Sequence, residues 1–153
     1  MLSSKDLNSL RADFESFKKK NNLCEDGGCV TDEGIDLKDY PNYTDALYNI
    51  IMPPSKSGVY ISRWDLKEIA MEAGESMAIH PRRRMFELLM KYAINRERME
   101  LVLDAIEKHI LEKIEIYEEL QDEFPYSKEL FQNKIDRANK TIATFPEILK
   151  EYF

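Results

Sequence analysis

The sequence predicts an all-α protein, a single domain spanning residues 1–153 and built as a bundle of five to seven helices. Apolar residues recur at three- and four-residue steps over most of the chain, which is the spacing of an amphipathic helix. No segment alternates apolar and polar residues as a strand does, and the one β-like fragment, "GVYIS" at 58–62, is too short to build a sheet. A chain of 153 residues buries a core without metal or disulfides.

The first part of the chain predicts two helices separated by an acidic loop. Apolar residues spaced along 4–20 predict the first helix, with a capping-box pattern at its start. The loop, at about 21–42, contains paired glycines and six acidic residues. A second helix is expected over 44–52, where Pro53 and Pro54 end it.

The middle of the chain carries the clearest helix boundaries. Ser62 and Asp65 form a capping box that predicts a helix start at about residue 63, and Gly74 is placed to end that helix. Pro81 suits the first position of the next helix, expected over about 81–94, because its missing N–H has no partner there.

The last third of the chain predicts a long antiparallel helical hairpin. An apolar stripe runs along 96–123, a helix of about 42 Å at 1.5 Å per residue. Pro125 ends it, and a return helix is expected over 128–143. A final turn or two from Thr144 would bury Ile148.

The sequence contains none of the common catalytic or phosphate-binding motifs, which predicts that the protein is not an enzyme and uses no cofactor. Cys24 and Cys29 have C-x4-C spacing, which differs from the usual metal and redox pairs and predicts two reduced thiols. His80 and His109 are the only histidines, and neither follows a glutamate at the spacing of a di-iron bundle. We therefore expect no metal site.

Three consecutive arginines form the candidate partner site. They occupy the first turn of the 81–94 helix, where the helix dipole already carries positive charge and acidic residues are favoured. Together with free backbone N–H groups they favour an anion or an acidic peptide, and nearby methionines favour an adaptable apolar surface. The alternative is that they pair with the protein's own acids, such as Glu75 or those of the 112–123 face. The candidate residues are Arg82, Arg83, Arg84, His80, Met85 and Met77.

The function expected from these features is that of a non-enzymatic intracellular helper, an adaptor or assembly chaperone that binds another protein or peptide. The N-terminus lacks the apolar region of a signal peptide, so we expect a cytoplasmic location and no membrane segment. A net charge of −7 disfavours a general nucleic-acid binder. The alternative is a DNA-binding regulator with a degenerate helix-turn-helix over about 63–94, and a small-molecule enzyme comes third. The partner's identity and the oligomeric state stay open.

Overall fold

The computed structural model describes residues 40–153, and in that range the chain forms helices and no strand. The all-α class predicted from the sequence is thereby confirmed for the described residues. The helices are α1 (Thr44–Ile51), α2 (Pro54–Ser57), α3 (Arg63–Glu72), α4 (Arg82–Tyr92), α5 (Arg96–Glu123), α6 (Lys128–Ala143) and α7 (Phe145–Tyr152), with a 3-10 turn (Pro125–Ser127) between α5 and α6.

Some of the predicted features lie outside the described residues. These are the helix over 4–20, Cys24 and Cys29, and the acidic loop as far as residue 39. Asp39–Phe153 form one compact unit, and the prediction that 1–153 is a single domain stays a prediction. None of the described helices is both long and apolar enough to cross a membrane.

The helix boundaries follow from local chemistry. The Ser62 hydroxyl accepts a hydrogen bond from the Asp65 N–H at 3.1 Å, and the Ser62 N–H donates to Asp65 Oδ2 at 2.8 Å, so the predicted capping box is present. Gly74, at φ +97°, follows the end of α3 in the left-handed conformation that glycine adopts without strain. α4 begins at Arg82, directly after Pro81, and α5 begins after Asn95, whose side chain caps the Arg98 N–H at 2.9 Å.

The core lies along the first two thirds of α5. Its buried stripe comprises Met99, Val102, Leu103, Ala105, Ile106, Ile110 and Ile114, at the predicted helical spacing. Within residues 40–153, every other α-helix except the four-residue α2 contributes side chains to the apolar part of this core, among them Leu47, Leu66, Phe86, Ile135 and Ile148. The long helix therefore provides the surface on which the shorter helices assemble.

The far end of the hairpin extends past this core. Between residues 115 and 134 no residue is fully buried. Two contacts with Gly58 connect the hairpin to the rest of the protein just before this end. The Tyr117 hydroxyl donates to the Gly58 carbonyl oxygen at 2.9 Å, and the backbone of Lys134 packs against Gly58. We call residues 118–133 the hairpin tip.

Candidate functional site

Arg82, the first of the three arginines, is held by backbone carbonyl groups of the protein itself. Its Nε donates to the Ile61 carbonyl oxygen at 2.6 Å, and its Nη2 donates to the Met52 carbonyl oxygen at 2.7 Å. The guanidinium also lies over the ring of Tyr60, 4.4 Å from its centroid. Arg82 therefore joins three segments of the fold rather than pointing freely into solvent.

Arg83 is placed between two carboxylates and an aromatic ring. It pairs with Asp45 of α1, and its Nε donates to Glu87 Oε2 at 3.0 Å. Its guanidinium lies 4.6 Å from the Tyr48 ring centroid. Partial burial lowers the pKa of Arg83, but hydrogen bonds to Asp45 and Glu87 outweigh it, so the pKa lies above its ordinary value. Arg83 therefore keeps a charge that is balanced within the fold.

Arg84 also faces Glu87, with Nη1 at 3.5 Å from Oε1. The same glutamate, one turn into α4, thus serves two of the three arginines. Among the partners of the three arginines are Asp45, Glu87 and two backbone carbonyl oxygens, and the sequence does not single out either acid. These contacts favour the internal-pairing alternative, and the arginine docking site stays a prediction.

The other three candidate residues do not gather into one surface. His80 is exposed in the segment before α4. Met85 is completely buried and Met77 is 7% exposed, and both belong to the apolar core. The expectation of an adaptable surface from these two methionines is therefore corrected: their spacing along the chain reflects core packing.

The geometry between α3 and α4 does not favour the helix-turn-helix alternative. Residues 73–81 separate the two helices, whereas that motif uses a turn of about three or four residues. α4 also buries Met85, Phe86, Leu89 and Met90, which fixes one of its faces in the core. DNA binding stays a prediction that these contacts do not strengthen.

The hairpin tip presents large apolar side chains to solvent. Phe124 is 52% exposed, Leu130 is 59% exposed, and Tyr126 is fully exposed. Tyr126 precedes Leu130 by four residues, across the junction of the 3-10 turn and α6, and Phe124 immediately precedes that turn. Large exposed apolar patches are uncommon on monomeric proteins, so these side chains are a candidate interaction surface.

The charge of the hairpin tip is strongly negative. Residues 118–133 contain five acidic residues and one lysine, a net charge of −4. By contrast, the exposed Trp64 and Met71 of α3 lie among side chains of both signs, such as Arg63 and Glu72. The tip therefore differs from the α3 surface in having a distinct electrostatic preference.

Contacts within the hairpin hold the tip in shape. The rings of Tyr117 and Phe131 stack with centroids 6.1 Å apart. Gln121 Nε2 donates to the Lys128 carbonyl oxygen at 3.0 Å and to Gln132 Oε1 at 3.1 Å, which links α5 to the start of α6. The exposed side chains are thus carried on a framework that is formed before any partner arrives.

No protein-family model, curated protein or solved structure matches this chain.

Proposed function

We propose that this protein is a non-enzymatic helper that binds a partner protein through the hairpin tip. The occupant we propose is a basic amphipathic helix, with apolar residues on one face and lysines or arginines beside them. The observation that carries the proposal is the exposure of Phe124, Tyr126 and Leu130 on a surface with a net charge of −4.

The apolar side chains supply the affinity in this proposal. Full burial of a side chain such as Phe or Leu contributes roughly 1.5–3 kcal/mol, and part of that is available at half-exposed positions. Aromatic residues are also enriched among the few side chains that carry most of the binding free energy of an interface. Because the tip is already shaped by the Tyr117–Phe131 stack, little of this free energy is lost to ordering.

The negative charge of the hairpin tip determines which kind of partner binds. An acidic surface attracts a basic segment and accelerates its association, and it repels nucleic acid and anionic membrane surfaces. A second copy of this chain would bring two tips of charge −4 together, which is unfavourable at physiological salt. A basic helix laid against the apolar residues satisfies both properties of the tip.

The direct test uses a labelled synthetic helical peptide with leucines on one face and lysines on the other. Fluorescence anisotropy should show saturable binding that weakens as salt rises, and a matched peptide with glutamate in place of lysine should not bind. The double variant Tyr126→Ser/Leu130→Ser should lose binding. The matched control Trp64→Ser/Met71→Ser also removes two exposed side chains, from α3, and should bind like the wild type.

Two results would overturn the proposal. One is equal binding of the lysine peptide to the tip variant and to the α3 variant. The other is a concentration-dependent dimer in sedimentation that the tip substitutions abolish, because the occupant of the tip would then be a second copy of the chain.

A further inference from the structure

Three potential metal ligands from distant parts of the sequence meet between α3 and α5. Asp65 and Glu68 are three residues apart and share one face of α3, and His109 approaches them from α5. One ligand atom from each side chain lies within 4.8 Å of the others. The cluster lies outside the hairpin tip, and the inference drawn from it does not depend on the proposed function.

His109 is the unusual member of this cluster. The residue is only 9% exposed, and its Nε2 is buried without a hydrogen-bond partner among the described residues. Asp65 Oδ2 lies 3.5 Å from this nitrogen, which is longer than the roughly 2.7–2.9 Å of a charge-assisted hydrogen bond. A buried imidazole nitrogen that has lost water and gained no partner is unfavourable, and it points toward the two carboxylates.

We infer that Asp65, Glu68 and His109 bind a divalent transition-metal ion, with Zn²⁺ as the first to be tested. Imidazole nitrogen and carboxylate oxygen are ligands that zinc accepts. Two ligand atoms on one tetrahedral zinc, each at about 2.1 Å, lie about 3.4 Å apart, which matches the separation of His109 Nε2 and Asp65 Oδ2. Glu68 is exposed, and its carboxylate oxygen lies within 4.8 Å of the other two ligand atoms, so Glu68 would supply the third ligand and water the fourth.

The capping box supports this site. The Ser62 N–H donates to Asp65 Oδ2 at 2.8 Å and thereby fixes the orientation of the carboxylate. A carboxylate has two oxygens and about four acceptor positions, so Asp65 caps α3 and ligates the ion at the same time. The ion would join α3 to α5, and its binding would stabilise the folded protein.

The test uses Zn²⁺ alone and the full chain carrying Cys24→Ser and Cys29→Ser, so that thiolates contribute nothing. Titration calorimetry should show one ion per chain, and the melting temperature should be higher in Zn²⁺ than in EDTA. Glu68→Gln, at an exposed position, should keep the fold and lower the affinity at least about tenfold. Glu72→Gln is the matched control, since Glu72 is a nearby acid of α3 that pairs with Lys108 at 3.2 Å. This variant should bind zinc with the affinity of the parent chain.

A second readout addresses His109 directly. In nitrogen-detected NMR spectra, the Nε2 signal of His109 should shift on zinc addition, while that of His80 should not. The inference is overturned if the cysteine-free chain binds no zinc saturably, if Glu68→Gln and Glu72→Gln bind equally well, or if His80 is the histidine that responds.

Discussion

Arg82 Nη2 donates to the carbonyl oxygen of Met52 at 2.7 Å, and Met52 is the residue that caps the C-terminus of α1. A helix C-terminus carries unpaired carbonyl groups and the negative end of the helix dipole, and a cation stabilises it. Arg82 therefore opposes the dipole of its own helix while it satisfies that of another. This contact explains why a positive charge is placed at the start of α4.

Removal of this arginine should destabilise the fold. Arg82→Gln deletes two charge-assisted hydrogen bonds to carbonyl groups of fully buried residues, and we expect the free energy of unfolding to fall by about 1.5–3 kcal/mol. Arg96→Gln removes an exposed arginine paired with Glu100 and should change the free energy of unfolding by less than about 0.5 kcal/mol. Urea denaturation measures both variants.

The predicted arginine docking site implies the opposite effect on stability when the arginines are removed. If the cluster is kept for an anionic partner, the triple change of Arg82, Arg83 and Arg84 to Gln abolishes partner binding and leaves stability equal or higher, since charges that oppose the α4 dipole are gone. If the melting temperature of the triple variant at low salt is below that of the wild type, the arginines stabilise the fold. A melting temperature that holds or rises would contradict the contacts described for Arg82.

Gly58 should tolerate no side chain. It has φ +73°, and a Cβ there would collide with the backbone carbonyl of Lys134. The left-handed conformation alone costs roughly 1–2 kcal/mol for a residue with a side chain, so Gly58→Ala should lower the free energy of unfolding by at least that much. Gly74→Ala has a similar φ but meets only the Tyr92 hydroxyl at 3.2 Å, so its loss should be smaller. Equal losses would show that the collision with Lys134 is relieved without cost.

The apolar residues of α5 should contribute to stability according to their burial. Ile110 is completely buried, and Ile110→Ala should cost about 2–5 kcal/mol in denaturant unfolding. Ile116 is 47% exposed, and Ile116→Ala should cost less than about 0.5 kcal/mol. A small loss at Ile110 would place this part of α5 outside the core.

The sequence predicted helix boundaries well because each boundary depends on a few neighbouring residues. The Ser62–Asp65 capping box and Pro125 act within one turn, and both helices of the long hairpin were placed with the bounds that the structure has. The burial of Ile106 and Ile110 followed from helical spacing alone.

Features that depend on tertiary contacts could not be predicted in the same way. Nothing local to Arg83 identifies Asp45, 38 positions earlier, as its partner. Met77 and Met85 have a pattern that fits either a core or a binding groove, and their burial separates the two. Nothing in the sequence connects His109 with Asp65, because a site shared by α3 and α5 exists only once the helices pack.

Two tyrosines should make the protein sensitive to alkaline pH. The Tyr43 hydroxyl donates to the Ala93 carbonyl oxygen at 2.7 Å, and the Tyr117 hydroxyl donates to the Gly58 carbonyl oxygen at 2.9 Å. Burial raises the pKa of both phenols above their usual value, since the ionised form is poorly solvated. Because the folded-state pKa exceeds the unfolded one, these groups contribute their full stability below the ordinary tyrosine pKa of about 10 and lose it as pH rises above that value.

Thermal melts from neutral to alkaline pH test this dependence. We expect the wild-type melting temperature to fall above about pH 10, where the unfolded chain releases protons that the folded one retains. The variant Tyr43→Phe/Tyr117→Phe should be less stable at neutral pH, since two hydrogen bonds are lost at roughly 0.5–1.5 kcal/mol each, but its decline with pH should be shallower. Tyr126→Phe, at a fully exposed position, should follow the wild-type profile. If the double variant declines as steeply as the wild type, other groups are responsible for the alkaline loss of stability.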